Sequence, residues 1–143
     1  MTEFIASNFN RLIGTWKTSG QFSTQDKVCE LTGIDTYEFV LERNYILHKA
    51  NVTIDKENSE TFEMICLDNR NNNARMQYFN SKGESGLMTS TITNNDFIIK
   101  GDRIKFKGTI NNENSIIVGK WYLQTNDKTW QEFINIKLEK YFF

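Results

Sequence analysis

Residues 11–20 read RLIGTWKTSG, in which an apolar pair is followed by Gly14, Thr15 and Trp16 and then by a small polar run. The stretch opens the first segment whose apolar residues alternate with polar ones, which is the period of a β-strand. Residues 2–12, just before it, carry apolar side chains at helix-like spacing and predict a short helical turn. The stretch therefore predicts a helical turn that leads through a glycine and a tryptophan into a first strand.

The same alternation continues along the chain in short segments separated by turns. Asparagine-rich stretches at 69–73, 94–95 and 111–114 are read as turns, because asparagine tolerates positive φ and bonds its own backbone. Ten consecutive strands with short connections indicate an antiparallel up-and-down β-barrel, because closure removes the bare edges of so long a meander. The sequence predicts an all-β fold, a single barrel domain over residues 1–143, with strands at 14–23, 28–41, 45–54, 61–68, 74–80, 86–93, 96–100, 103–110, 116–124 and 130–140.

Composition excludes several classes of function. The 17 basic and 18 acidic side chains leave a formal charge of −1 and are interleaved, whereas a nucleic-acid interface needs clustered Lys and Arg. The first residues have no signal-peptide pattern, and no apolar run approaches the length of a membrane span. We therefore expect a cytoplasmic protein with no nucleic-acid or membrane partner. The sequence leaves open whether it forms a homodimer.

The cysteine and histidine content argues against a metal site. Cys29 and Cys66 are far apart in sequence and form no CxxC pair, so both are predicted to be reduced thiols. His48 is the only histidine, and a zinc site built on imidazoles needs more. Neither a metal nor a cofactor is predicted.

The helical turn followed by Gly14-Thr15-Trp16 resembles the opening motif of the lipocalin and calycin barrels. In that family the glycine lets the first strand bend sharply, and the indole plugs the closed end of the barrel beneath a basic side chain of the last strand. Lys140, in NIKLEKY at 135–141, occupies the matching place, where lipocalins more often carry arginine. The resemblance implies that Gly14, Trp16 and Lys140 form a structural plug.

Longer stretches extend the resemblance over nearly the whole chain. They resemble an uncharacterised family of small bacterial lipocalin-like proteins with a Tyr-Glu strand, a strand with a lone histidine, Phe-x-Gly-Thr, Ile-x-Gly-x-Trp and a Thr-Trp hairpin. The resemblance implies a fold and no activity. The matching stretches are DTYEFVLERNYILHKANV at 35–52, YFNSKG at 78–83, FKGTINNENSIIVGKWY at 106–122 and NDKTWQEFINIKLEK at 126–140.

The turn after the second strand sets the predicted register of the next pair. With residues 42–44 as the turn, Val40 pairs with Ile46 and Glu38 with His48, and residues opposite each other share a face. The interior face is then predicted to hold Ile34, Thr36, Glu38, Val40, Ile46, His48, Ala50, Val52 and Ile54. The sequence thus predicts a Glu38–His48 pair inside the barrel.

Apolar matching extends the predicted interior to later strands. Gly108 and Gly119 are expected opposite each other, either to leave room for a cavity or to mark strong curvature. The further predicted interior positions are Phe62, Met64 and Cys66, then Ile104, Phe106, Gly108 and Ile110, then Ile117, Gly119 and Trp121, and finally Trp130, Glu132, Ile134, Ile136 and Leu138.

An apolar interior with a few polar groups is typical of a small-molecule site. We expect a binding protein for a small, largely hydrophobic molecule, with Glu38, His48, Met64, Phe106, Trp121 and Glu132 as ligand-binding residues.

Two alternatives stay open at this point. In the first, the chain is an enzyme that uses Glu38 and His48 as an acid–base pair, with Cys66 activated by His48 as a variant of it. In the second, the interior is filled and the Glu38–His48 pair is a structural contact. Haem binding is disfavoured, because the nitrobindin-type glycine-rich opening is missing and the closing strand has no histidine.

Overall fold

A computed structural model of the chain describes residues 7–67 and 72–142. One 3-10 turn precedes ten strands, and the strands come close to the predicted ones in number and position. The turn η1 spans Asn8–Leu12, and the strands are β1 Gly14–Ser23, β2 Val28–Val40, β3 Tyr45–Ile54, β4 Glu57–Leu67, β5 Asn73–Asn80, β6 Ser85–Thr93, β7 Asp96–Gly101, β8 Ile104–Ile110, β9 Ile116–Gln124 and β10 Trp130–Lys140. Residues 2–6 of the helical turn predicted at 2–12, residue 68 of the strand predicted at 61–68 and residues 69–71 of the turn predicted at 69–73 lie outside the described residues.

The ten strands form one closed antiparallel barrel, which confirms the predicted fold class. Each strand pairs with its sequence neighbours, and β1 closes the sheet against β10. Closure leaves every strand hydrogen-bonded on both sides, so the long meander has no bare edge. Within the described residues, no helix has the length and apolar character needed to cross a bilayer.

Gly14, Trp16 and Lys140 lie together at one end of the barrel. Trp16 is fully buried and donates its indole N–H to the carbonyl of Leu12 at 2.8 Å. The Lys140 ammonium lies 4.8 Å from the centre of the Trp16 ring and donates to the Arg11 carbonyl. Gly14 has a φ of 139°, and a Cβ there would lie 3.4 Å from the Lys140 side chain. Glycine at this position therefore permits the positive φ with which the backbone bends, and it leaves room for the Lys140 side chain to pack closely against the backbone.

Arg11 ties the turn η1 to the loops at this closed end. Its guanidinium donates to the carbonyls of Asn94 and Asn111 and to the side-chain oxygens of Asn95 and Asn114, over 2.5 to 3.1 Å. Two β-turns far apart in sequence are thus held by one planar side chain. The asparagine-rich turns supply the acceptors that close the barrel end.

The register of β2 on β3 differs by one residue from the prediction. Val40 pairs with Tyr45, so His48 faces Tyr37 and Glu38 faces Leu47. The connection is one residue longer than expected, because Leu41, Glu42 and Arg43 all take positive φ before the chain re-enters the sheet at Tyr45. The predicted inner face of β2, formed by Ile34, Thr36, Glu38 and Val40, is therefore wrong: Asp35, Tyr37 and Phe39 share a face with Ile46, His48 and Ala50.

The predicted inner face of β4 is also wrong. A two-residue turn at Asp55 and Lys56 places Glu63 opposite His48 and Ile65 opposite Ile46. Glu63 and Ile65 are buried, whereas the Phe62 side chain is half exposed. Phe62, Met64 and Cys66 therefore lie on the outer face of the barrel.

The predicted pairing of β8 with β9 is confirmed. Phe106 pairs with Trp121, Gly108 with Gly119 and Ile110 with Ile117. A Cβ on Gly119 would lie 2.4 Å from the Phe106 ring, and one on Gly108 would lie 2.6 Å from it. The two glycines therefore make room for the Phe106 ring.

The inner face of β10 follows the prediction at Ile134, Ile136 and Leu138 and departs from it before a β-bulge. The pairing with β9 shifts between Glu132 and Ile134, which leaves Phe133 unpaired in the ladder. The Phe133 ring packs edge-on against Phe22, with the ring centres 6.0 Å apart. The bulge turns Glu132 to the outer face, where its carboxylate forms an ion pair with Lys120. Trp130 is also on the outer face, and the Lys105 ammonium lies over its ring.

Core packing is uneven along the barrel axis. Toward the closed end the inward side chains are fully buried, among them Phe9, Leu12, Trp16, Ile46, Ile65, Ile92, Ile110 and Ile117. Toward the opposite end, inward positions remain partly accessible, among them Phe22, Ala50, Val52, Ile54, Thr61, Tyr78, Ile134 and Ile136. One half of the interior is therefore a packed core, and in the other half the inward side chains stay partly accessible.

Candidate functional site

Three ionisable side chains meet inside the barrel on β2, β3 and β4. His48 Nε2 lies 2.6 Å from Asp35 Oδ2, and His48 Nδ1 lies 3.0 Å from Glu63 Oε1. The three side chains are between 9 and 15 % exposed. Because β2 and β4 flank β3, the ladder itself brings the two carboxylates to opposite sides of the imidazole. We call Asp35, His48 and Glu63 the acidic–imidazole cluster.

Two neutral side chains complete the surroundings of this cluster. The Thr18 hydroxyl donates to Asp35 Oδ1, so both oxygens of that carboxylate accept hydrogen bonds. The Tyr37 ring stacks on the imidazole of His48, with the ring centres 4.1 Å apart and the planes inclined by 6°. The imidazole is therefore fixed at its two nitrogens and on one face.

Burial and hydrogen bonding act in opposite directions on His48. Burial lowers its pKa, since a charged ring is poorly solvated there, but the hydrogen bonds to Asp35 and Glu63 and their charges outweigh it and raise the pKa to about 9. His48 is thus an imidazolium at neutral pH, and both its N–H groups donate to carboxylates. Burial, with the charges of Asp35 and Glu63, raises the pKa of Tyr37 well above 10, so its hydroxyl stays protonated.

The partly accessible half of the interior adjoins the cluster. Ala50 follows His48 on the inner face of β3 and pairs with Asp35 and Thr61, and Val52 follows it. Tyr78 lies opposite Glu63, and its ring covers Gly86, where a Cβ would lie 2.7 Å from the phenol. The cluster therefore borders the partly accessible half of the interior, where the neighbouring inward side chains are mainly apolar and aromatic.

The sequence-predicted ligand residues divide between the two faces of the barrel. His48, Phe106 and Trp121 lie on the inner face, and the Phe106 and Trp121 rings are 5.2 Å apart. Glu38 lies on the outer face, more than half exposed, 3.8 Å from the Lys49 ammonium. Met64 and Glu132 are also on the outer face. The predicted Glu38–His48 pair is therefore not formed, and the partners of His48 are Asp35 and Glu63.

Sequence reasoning missed three members of this site: Asp35, Tyr37 and Glu63. A signal was present, because Asp35, Tyr37 and Phe39 have the period of two that one face of a strand requires. A register that takes residues 42–44 as the turn and matches Val40 with Ile46 places these three side chains on the outer face instead. A pair of buried carboxylates is costly unless a partner satisfies them, and His48 is that partner.

The cysteines and acidic residues do not assemble into a metal centre in the described part of the chain. No group of three or more His, Cys, Asp or Glu side chains there is arranged to hold a metal ion. Cys29 and Cys66 are free thiols, on β2 and β4. In the cluster, the carboxylates bond the imidazole itself, which uses the nitrogens that a metal would need.

Two shallow depressions mark the outer surface of the barrel. One, of about 440 Å³, lies over β4 to β7 and is lined by Cys66, Arg75, Leu87, Thr89 and Lys100, among others. The other, of about 350 Å³, lies over β2 to β4 beside Ile34, Lys49 and Phe62. Neither includes a residue of the acidic–imidazole cluster.

Comparison with solved structures supports the barrel assignment. Rv2717c from M. tuberculosis superposes with a TM-score of 0.73 at 8 % sequence identity, over 94 % of this chain and 95 % of that one. The S-type phycobiliprotein lyase CPES from Guillardia theta superposes with a TM-score of 0.62 at 10 % identity, over 94 % and 90 % of the two chains. Both neighbours are lipocalin-like ten-stranded barrels, and the likeness supports the closed ten-stranded antiparallel barrel described above.

Comparison of the sequence with protein families and with curated proteins assigns the chain to no family. No protein-family model matches the chain, and no curated protein matches it significantly. The likeness to the solved structures, at identities this low, concerns the fold alone.

Proposed function

We propose that this barrel binds a small, largely apolar molecule in the accessible half of its interior, with the acidic–imidazole cluster holding a polar group of that molecule. The observation that carries the proposal is the position of a buried, hydrogen-bonded polar cluster beside interior walls that are not fully packed. An apolar cavity with a few fixed polar groups is the usual form of a small-molecule site.

The apolar walls supply the affinity in this proposal. Val52, Ile134 and Ile136 point inward and remain partly accessible, although each is a residue that folding favours burying. A ligand that covers them removes apolar surface from water, which is favourable at about 25 cal/mol per Å². Trp121 extends this wall on β9.

The fold is compatible with this use. The neighbour with a TM-score of 0.62 is named a phycobiliprotein lyase, so a barrel of this architecture can act on another molecule. The likeness to the lyase concerns the barrel architecture alone. The proposal for this chain rests on its own acidic–imidazole cluster.

Acid–base catalysis is less well supported. Both ring nitrogens of His48 donate to carboxylates, and its pKa is raised to about 9, so the ring offers no lone pair as a base near neutral pH. Cys66 lies on the outer face of β4 and cannot be the thiol that His48 activates. Binding is therefore the stronger interpretation.

A titration with N-phenyl-1-naphthylamine, a neutral dye that brightens in apolar surroundings, tests the proposal. The folded protein is expected to bind the dye with saturable, one-to-one stoichiometry and with energy transfer from tryptophan. Trp121→Phe should reduce the transfer, and Trp130→Phe, on the outer face, should leave most of it. Absence of saturable binding to the folded protein would contradict the proposal.

Two adjacent positions on β3 give a matched pair of variants. Ala50→Phe places a ring in the accessible interior and is expected to weaken dye binding. Asn51→Phe places the same ring on the outer face, beside the depression near Ile34, and is expected to leave binding unchanged. The reverse result would mean that the dye occupies the outer depression, and the proposed interior site would be wrong.

A further inference from the structure

The acidic–imidazole cluster carries unbalanced charge. Two negative carboxylates, Asp35 and Glu63, surround one positive imidazolium, which leaves one net negative charge in the interior. Charge that is largely withdrawn from water is costly unless an opposite charge or hydrogen bonds compensate it.

The described residues supply no second cation at this place. Among inward positions on the ten strands as described, Lys140 is the cationic side chain besides His48. Its ammonium is held at the closed end, over Trp16 and against the Arg11 carbonyl. At the rim, Lys27 pairs with Asp55 at 2.9 Å. Among the residues that the structure describes, the negative charge of the cluster therefore has no counter-ion beyond His48.

The cluster also has unused hydrogen-bonding capacity. Glu63 is 6 % exposed, and its Oε1 accepts from His48, while Oε2 has no hydrogen-bond partner among residues 7–67 and 72–142. The Tyr37 hydroxyl, on a side chain 7 % exposed, likewise has no partner within those residues. Both groups belong to inward-facing positions, and neither atom is fully buried without a partner, so each is accessible to a ligand that carries a hydrogen-bond donor.

We propose that the bound molecule carries a cationic nitrogen, an ammonium or protonated amine on an apolar body, which donates to Glu63 and contacts the Tyr37 hydroxyl. This inference rests on the proposed function and names the chemical class of the ligand. An ammonium neutralises the cluster and forms a charge-assisted hydrogen bond. A carboxylate in the same place would face two carboxylates and repel them.

Competition with three ten-carbon compounds tests the charge preference. Decylamine, decanol and decanoate share one tail and differ in head group, and each is titrated at pH 7.5, below its micellar range, against bound N-phenyl-1-naphthylamine. Decylamine is expected to displace the dye with an affinity about tenfold or more above that of decanol, by the strength of a charge-assisted hydrogen bond. Decanoate is expected to be the weakest of the three.

A variant that removes one negative charge from the cluster tests whether the cluster causes the preference for decylamine. Glu63→Gln keeps an oxygen to accept from His48 and removes the net negative charge, so the preference for decylamine over decanol should disappear while dye binding persists. Glu132→Gln, which removes an outer-face charge, should leave the preference intact. Asp35→Asn provides a second test at the other carboxylate should Glu63→Gln fail to fold.

The outcomes separate the two proposals. Equal displacement by all three compounds, or a preference for decanoate, would overturn the cationic-ligand inference and leave the interior binding site standing. A decylamine preference that Glu63→Gln and Asp35→Asn both retain would overturn it as well. Failure of the wild-type protein to bind the dye at all would contradict the binding function itself.

Discussion

The rings of Tyr37 and His48 lie face to face across β2 and β3, with their centres 4.1 Å apart. Asp35 and Glu63 hold the two nitrogens of the same imidazole, so the ring is fixed in its plane and on one face. This arrangement makes His48 a charged, immobilised element of the barrel wall. The hydrogen bonds and charges that hold it also determine how the stability of the barrel depends on pH.

The stability of the barrel should fall between neutral and alkaline pH because of His48. Its pKa is raised from 6.5 to about 9 in the folded chain, so the folded state binds this proton more tightly than the unfolded state does. The resulting stabilisation is complete below pH 6.5, declines as the pH rises and is lost above about pH 9. The shift corresponds to roughly 3 kcal/mol in the free energy of unfolding.

Urea denaturation between pH 6 and 9.5 checks this prediction. The control is His48→Gln, which removes the titrating group and should flatten the decline relative to the wild-type protein. Parallel profiles for the two proteins would show that His48 has an ordinary pKa and that the carboxylates do not hold it.

Trp16→Ala should destabilise the closed end of the barrel. The indole is fully buried and bonded to the Leu12 carbonyl, and truncation of a buried tryptophan costs about 3–5 kcal/mol. The measurement is the free energy of unfolding in denaturant, with Trp130→Ala, a half-exposed tryptophan, as the control. A loss below about 1 kcal/mol, far less than a buried tryptophan costs, would contradict the role of Trp16 as a plug.

Arg11→Ala should loosen the turns at the closed end without opening the rest of the barrel. The guanidinium links Asn94, Asn95, Asn111 and Asn114, and its removal leaves four acceptors without their donor. Hydrogen exchange is expected to accelerate in residues 94–95 and 111–116 while β3 and β4 stay protected. Arg11→Lys, which keeps the charge and loses the planar fork, should restore only part of the protection. Unchanged exchange in both loops would show that Arg11 does not hold this end.

Gly119→Ala should strain the wall formed by β8 and β9. The added methyl would approach the Phe106 ring to 2.4 Å, so the ring must move within a packed region. Overpacking of this kind costs about 1–3 kcal/mol in the free energy of unfolding. The neighbouring Val118→Ala, on the outer face, should change stability by less than about 0.5 kcal/mol. Equal, small effects would mean that the ring is not confined by the glycine pair.

Local sequence patterns were sufficient to predict the barrel and the pairing of β8, β9 and part of β10. Phe106 stands in β8, whose apolar residues alternate with Lys105 and Lys107, so a single register of this strand buries them and places Trp121 opposite Phe106. Ten segments of this kind with short connections leave few folds other than a closed meander. The bulge at Phe133 was not predictable, because it depends on the contact of that ring with Phe22.

The candidate site was only partly predictable, since β2 has apolar residues on both faces. Ile34 and Val40 favoured one face, and Tyr37 and Phe39 the other, so the register depended on the length of one turn. Three consecutive residues with positive φ, from Leu41 to Arg43, lengthen that turn. Matching apolar residues also cannot predict that Asp35 and Glu63 face inward. Their burial is stabilised by hydrogen bonds to His48, whereas an apolar side chain is stabilised inside by the removal of its surface from water.

Methyl groups on the inner and outer faces of the barrel report where a bound probe lies. Methyl NMR spectra are recorded while N-phenyl-1-naphthylamine is added to the wild-type protein. Saturable shifts are expected at the inward methyls of Val52, Ile134 and Ile136, and unchanged signals at Ile34 and Val118 on the outer face. Shifts confined to Ile34 and Val118, with the inward methyls unmoved, would contradict a binding site inside the barrel.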